Sequence, residues 1–246
     1  MREYTQFYIN GEWVDPVKPN SFDVINPATE EVCAHISLGS EEDVNRAVAA
    51  AKAAFQTFSR TSVKERIELL ESCVEVYQKY YNDIADAIRE EMGAPKELAA
   101  GAQAYCGLGH LQEAAKILKT FKFEEDLGPH RVFKEPIGVC GLITPWNWPI
   151  NQIALKVLPA LATGCTMELK PSELTPLDAM LYAEVLDEAS RVQISLGLPA
   201  PVAVVHGRVD GETFVSEYAK ELTVASRTII KSRWSERDVV KKKKKR

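Results

Sequence analysis

The order of apolar runs between residues 137 and 178 restricts the fold more than any other feature of the chain. Ile137 to Ile143 is short, continuous and apolar, the pattern of a parallel strand covered on both faces. Ile150, Ile153, Ala154, Val157 and Leu161 then share one helical face, with Lys156 the only charge in that stretch. Thr166 to Lys170 reads as a second strand. Thr175, Pro176 and Asp178 read as the cap, first position and first turn of a second helix. Strand, helix, strand, helix predicts an α/β fold, a Rossmann-like parallel sheet with flanking helices. Residues 202 to 205 are expected as a third parallel neighbour. Open sheets of this kind bind ligands outside the carboxyl ends of their strands.

The upstream half carries its own punctuation. Asn10-Gly11, flanked by Phe7-Tyr8-Ile9 and Glu12-Trp13-Val14, predicts a hairpin, because both turn residues tolerate positive φ. Phe22 to Ile25, stopped by Asn26-Pro27, is expected to pair with Val32 to Ile36. Ser40 before Glu41-Glu42-Asp43 predicts a capped helix with Val44, Ala47, Val48, Ala51, Phe55 and Phe58 inward. Ser62 with Glu65 is a capping box opening a long helix, with Ile67, Leu70, Val74, Tyr77, Tyr81, Ile84 and Ile88 on one stripe. A third helix, about 96 to 119, contains Gly101, Gly107 and Gly109, which cost stability unless a neighbour comes close. Gly128-Pro129 is a turn between two strand-like pieces in 121 to 135.

Charge and cysteine usage bound the function classes. The net charge is −5, yet residues 227–246 hold ten basic and two acidic residues. An acidic body with a basic end can signal nucleic-acid or membrane-surface contact; a solvated tail or an adenine-rich read-through gives the same composition, and nucleic acid is not the expected partner. No uncharged apolar run of 18 residues occurs, so no membrane span is expected, and the N-terminus lacks a signal-peptide core. A cytoplasmic location is the expectation. Cys33, Cys73, Cys106, Cys140 and Cys165 are widely spaced and form no Cys-x-x-Cys pair. Buried thiols without an activating cation or base are expected, and the histidines at 35, 110, 130 and 206 show no metal-ligand spacing.

The strings Pro136-Ile137-Gly138-Val139-Cys140-Gly141-Leu142-Ile143-Thr144-Pro145-Trp146-Asn147-Trp148-Pro149 and Gly164-Cys165-Thr166-Met167-Glu168-Leu169-Lys170-Pro171-Ser172-Glu173-Leu174-Thr175-Pro176 resemble the nucleotide-binding half of the aldehyde dehydrogenase superfamily. The resemblance covers about residues 5 to 189, and 197 to 207 more weakly. It implies that residues 1–226 form an incomplete dinucleotide-binding domain, with oligomerisation-type strands within 7–36 and 121–136, followed by the basic tail. It implies NAD as cofactor, an aldehyde as substrate and a homo-oligomer as the assembly.

By that resemblance Asn147 is the catalytic residue present, its amide aimed at the substrate carbonyl oxygen. A fixed donor there stabilises the oxyanion that forms when a thiolate adds, and losing one typically costs on the order of 10²–10³ in rate. Lys170 and Glu173 would hydrogen-bond the adenosine ribose hydroxyls, and Glu173 would repel a 2′-phosphate, so NADP is disfavoured. Ser172 belongs to the same loop, and Ile143, Thr144, Pro145 and Trp146 would line the cleft. Trp146 and Trp148 read equally well as core residues.

Several family features do not occur in the sequence. The Gly-Gln-x-Cys string of the nucleophile, the Glu-Leu-Gly-Gly string of the base and the Phe-Thr-Gly-Ser string of the pyrophosphate site are absent. Gln103-Ala104-Tyr105-Cys106 has the wrong position to replace the first of these. Glu168 stands where the family has an apolar strand residue, and unpaired burial there would be costly. Residues 190 to 196 read as an insertion. Two readings therefore stand side by side: an NAD-dependent aldehyde dehydrogenase lacking its nucleophile and base in this chain, and an inactive cofactor-binding or subunit-interaction protein.

Overall fold

The computed structural model describes residues 1–195 and 201–204. The expected tail, 227–246, and residue 205 lie outside the described residues.

Five strands lead the chain: β1 (Arg2–Tyr4), β2 (Phe7–Ile9), β3 (Glu12–Val14), β4 (Ser21–Asn26) and β5 (Glu31–Ser37). Asn10 and Gly11 take φ of 57° and 80°, which closes the β2–β3 hairpin in the left-handed region its sequence predicts. β4 and β5 pair antiparallel, and β1 adds parallel to β5. Helices α1 (Glu41–Phe58) and α2 (Val63–Met92) follow, each opened by its capping box. In α1 the box closes with Asp43, whose fully buried carboxylate also accepts the Val17 amide at 2.9 Å.

The third helical region is not broken by its glycines. It runs as α3 (Lys96–Leu98), a π-helical stretch at Ala99–Ala104 and α4 (Tyr105–Leu118). A π turn leaves carbonyls without helical partners, and two α2 hydroxyls serve carbonyls here: Tyr81 donates to Ala100 O and Tyr77 to Ala104 O, at 2.5 and 2.8 Å. Of the three glycines only Gly107 is sterically required. A Cβ there would lie 2.7 Å from Tyr77 Cζ and 3.0 Å from Ile150 Cγ1, whereas Gly101 has open space.

After the exposed hairpin of β6 (Glu124–Leu127) and β7 (His130–Phe133) comes the predicted α/β unit: β8 (Val139–Ile143), α5 (Pro149–Thr163), β9 (Thr166–Lys170), α6 (Leu177–Ser195) and β10 (Val202–Val204). β8, β9 and β10 are parallel neighbours, and β2 and β3 extend the sheet antiparallel, giving the order β3-β2-β10-β9-β8. β8 begins two residues later than its apolar run, because Gly138 has φ of 127°. Of residues 190–196, read as an insertion, 190–195 belong to α6, and residue 196 lies outside the described residues. The core lies between α2, α5, α6 and the sheet, with Tyr77 and Tyr182 stacked edge to face at 6.1 Å.

One predicted cap is wrong. Thr175 does not cap α6. Its hydroxyl is buried and has no hydrogen-bond partner among the described residues, and Pro176 precedes the helix, its carbonyl accepting from the Met180 amide at 3.0 Å. The cap comes from Glu91, in the last turn of α2, whose carboxylate accepts the Leu177 and Asp178 amides at 2.6 and 3.0 Å.

Candidate functional site

The β8–β9 ladder runs to Ile143 and Lys170, and just beyond it Thr144 N–H donates to the Lys170 carbonyl at 3.2 Å. Beyond β8 the chain bends through Pro145, Trp146 and Asn147 before α5 begins at Pro149. Thr144 is buried, while Ile143 and Trp146 are 40% and 52% exposed. Trp146 is therefore not a core residue. Trp148 is half-buried, its indole N–H enclosed. Asn147 is exposed, and its side-chain amide has no hydrogen bond among the described residues.

Beyond β9 the loop 171–176 carries the polar pair. Lys170 Nζ and Glu173 Oε2 are 3.3 Å apart, with the lysine side chain 4% and the glutamate 24% exposed. Ser172 is buried, and its hydroxyl accepts the Leu174 amide at 3.2 Å, which shapes the loop. The pair offers one cationic donor and one carboxylate acceptor at the mouth of the sheet, a set that matches two adjacent hydroxyls of a ribose. Glu173's negative charge is poorly suited to a phosphate at the same place. Exposed Ile143, Trp146 and Leu174 give this mouth apolar surface as well. The predicted residues at 143–147 and 170–173 thus come together at adjacent strand ends.

Comparisons with known proteins give the family. Residues 13–228 match the aldehyde dehydrogenase family. The chain belongs to that family. A 3-succinoylsemialdehyde-pyridine dehydrogenase of Pseudomonas sp is 57% identical over 189 residues, 76% of this chain and 40% of that protein. A putative aldehyde dehydrogenase of Staphylococcus epidermidis is 49% identical over 188 residues, again 40% of its length. Among solved structures, the aldehyde dehydrogenase of Bartonella henselae superposes with a TM-score of 0.80 at 47% identity, over 85% of this chain and 43% of that one. Aldehyde dehydrogenase C of Pseudomonas syringae, a cysteine-to-alanine mutant solved with NAD+ and octanal, gives 0.78 at 44% identity, over 83% and 41%. This aldehyde dehydrogenase family chain spans about 40% of the length of the curated relatives it matches. The family match continues to residue 228, past the 207 at which the resemblance in the sequence fades.

The thiols differ from expectation in one respect. Cys73 and Cys165 are buried, and Cys33, Cys106 and Cys140 are half-buried. Cys165 is not inert by environment: a hydrogen bond from Cys140 pulls its pKa down to about 6 against the effect of burial, with help from Thr163 and the amides of Ile137 and Gly138. Sequence inspection looked for a cation or base and missed these neutral donors. The pair lies at the amino ends of β8 and β9, so Cys165 is separated from Lys170 by about 16 Å of strand. It is not part of the site. Glu168 is fully buried in β9, in register with Gly141 and Ala203.

Among the described residues no helix is long and apolar enough to cross a membrane, and no group of His, Cys, Asp and Glu is placed to hold a metal.

Proposed function

We propose that this chain is the nucleotide-binding portion of an NAD-dependent aldehyde dehydrogenase and itself holds the adenosine ribose of NAD. The observation that carries this reading is the Lys170–Glu173 pair, set at the carboxyl end of β9 beside the Asn147 bend of β8. Lys170 donates to one ribose hydroxyl and Glu173 accepts from one, while Ser172 keeps the loop in shape. Ile143, Thr144, Pro145 and Trp146 form the adjoining wall. Relatives solved with NAD+ support the choice of cofactor, and the charge of Glu173 favours NAD over NADP. When bound, NAD+ supplies the acceptor for a hydride.

Asn147 is the residue of this chain that faces the aldehyde. Its free amide donates to the carbonyl oxygen and stabilises the negative charge that develops there once a thiolate adds. The nucleophilic Cys and the base Glu of the complete reaction are expected from sequence outside this chain. The aldehyde is left undefined by the residues present. The β6–β7 hairpin and the strands within 7–36 are proposed as the elements that join subunits of a homo-oligomer. The hairpin belongs to neither larger sheet, and a lone two-stranded hairpin gains stability from packing against something.

Calorimetric titration of the purified chain with NAD+ tests the reading. Weak binding that is lost on replacing both Lys170 and Glu173 by Ala is expected. Tight binding that survives both replacements would show that a different site holds the cofactor.

A further inference from the structure

The loop that carries Glu173 has two anchors. One is β9, bonded to β8 and β10 on its two sides, with Thr144 N–H on the Lys170 carbonyl. The other is the first turn of α6. Besides the Lys170–Glu173 side-chain bond itself, the loop is held internally by Leu174 N–H to Ser172 Oγ and Thr175 N–H to Ser172 O, at 3.2 and 3.3 Å. The first joins two flexible side chains, and the other two do not reach back to Lys170. On its far side the loop runs directly into the first turn of α6 at Leu177.

A helix start needs acceptors for its first amides, and the local sequence supplies none: Thr175 turns its hydroxyl elsewhere and Pro176 has no capping group. Glu91 does the work from 86 residues away, 3% exposed at the end of α2, taking the two amides of Leu177 and Asp178 on its two oxygens. Losing such an acceptor would leave two amides without partners in the dry interior, which costs more than an ordinary hydrogen bond contributes. The α2 helix is in turn fixed along its length against α6 and the π turn, so the grip is referred to the core and not to another loop.

The geometry points to Glu91 as a positioning residue for the ribose clamp: by holding the first two amides of α6 it fixes the far end of the 171–176 loop and thereby sets Glu173 against Lys170. This rests on the reading of Lys170 and Glu173 as that clamp. A plain capping role would stabilise α6 without any bearing on ligand selectivity, and the two roles give different results.

The full chain, as wild type, Glu91→Gln and Glu91→Asp, is titrated with NAD+ and with its analogue lacking the adenosine 2′-hydroxyl. Gln keeps the shape but loses one acceptor, and Asp withdraws the carboxylate by one methylene, so either variant suffices if the other does not fold. Wild type is expected to prefer NAD+ by about tenfold, a preference of the size that hydrogen bonds to charged groups give. In the Glu91 variants that preference falls toward one. Hydrogen exchange of the ligand-free proteins gives a second readout: the amides of Glu173 and Leu174 exchange faster in the variants. A variant that weakens both ligands equally, or keeps the preference intact, overturns the role of Glu91 while leaving the clamp standing. Faster exchange confined to 177–180 does the same. A wild type that binds both ligands alike overturns the clamp and Glu91's role with it.

Discussion

Glu91 and Asp178 bring two buried carboxyl groups together in one dry space between α2 and α6, with the Asp178 backbone amide donating to Glu91 at 3.0 Å. Burial pushes Asp178 up to about 7. Burial and the neighbouring Asp178 push Glu91 well above the usual carboxylate range. Two such groups cannot both be ionised cheaply, so the pair retains a proton at neutral pH.

The sign of the pH effect follows. Both groups bind protons more tightly when folded, so the Asp178 contribution to stability is fully present below about pH 4 and is lost as pH rises through about 7, and Glu91 adds a loss of the same sign. Urea unfolding of wild type and Asp178→Asn across pH 5 to 8 measures it. The wild type is expected to lose on the order of a few kcal/mol relative to the variant over that range. Parallel pH profiles would show that the pair does not share a proton.

Lys170→Ala and Glu173→Ala are each expected to weaken NAD+ binding by about tenfold, the loss of one charge-assisted hydrogen bond. Glu173→Gln removes the charge that faces a 2′-phosphate and is expected to raise the affinity for NADP+ relative to NAD+. Competitive titration of the two cofactors reads this ratio, and an unchanged ratio would remove Glu173 from the site.

Gly107→Ala is expected to destabilise the chain by about 1–3 kcal/mol, because the new methyl group meets Tyr77 and Ile150 in a packed core. Gly101→Ala, with nothing near its Cβ position, is expected to be neutral or to stabilise by up to about 1 kcal/mol. Denaturant midpoints of the two variants should therefore move in different directions. Equal shifts would contradict the packing of α4 on α2 and α5.

Thiolate absorbance near 240 nm is expected to titrate at about pH 6 through Cys165. Cys140→Ala removes the largest of the hydrogen bonds that favour the thiolate, and the transition should move upward. A titration that ignores Cys140 would mean that the two thiols are not in contact.

Most of the elements and their order were legible in the sequence; β1 and the π turn at Ala99–Ala104 were not. Alternating apolar runs specified the parallel β8-β9-β10 unit, Asn10-Gly11 specified its hairpin, and Ser40 and Ser62 specified two helix starts. Each of these is decided within a few residues, by side-chain period or by a cap three positions away. The residues at the two strand ends were legible for the same reason, because they are contiguous strings. The tertiary structure decided what depends on distant partners. Thr175 looked like the cap of α6, but Glu91 arrives from α2 and takes the amides. Gly107 is required by Tyr77, and the pKa of Cys165 is lowered by Cys140, neither of which is adjacent in sequence. A buried polar or close-packed group is governed by whichever neighbour satisfies it in the dry interior. That neighbour is chosen by how the helices and sheet pack, and local sequence patterns do not encode it.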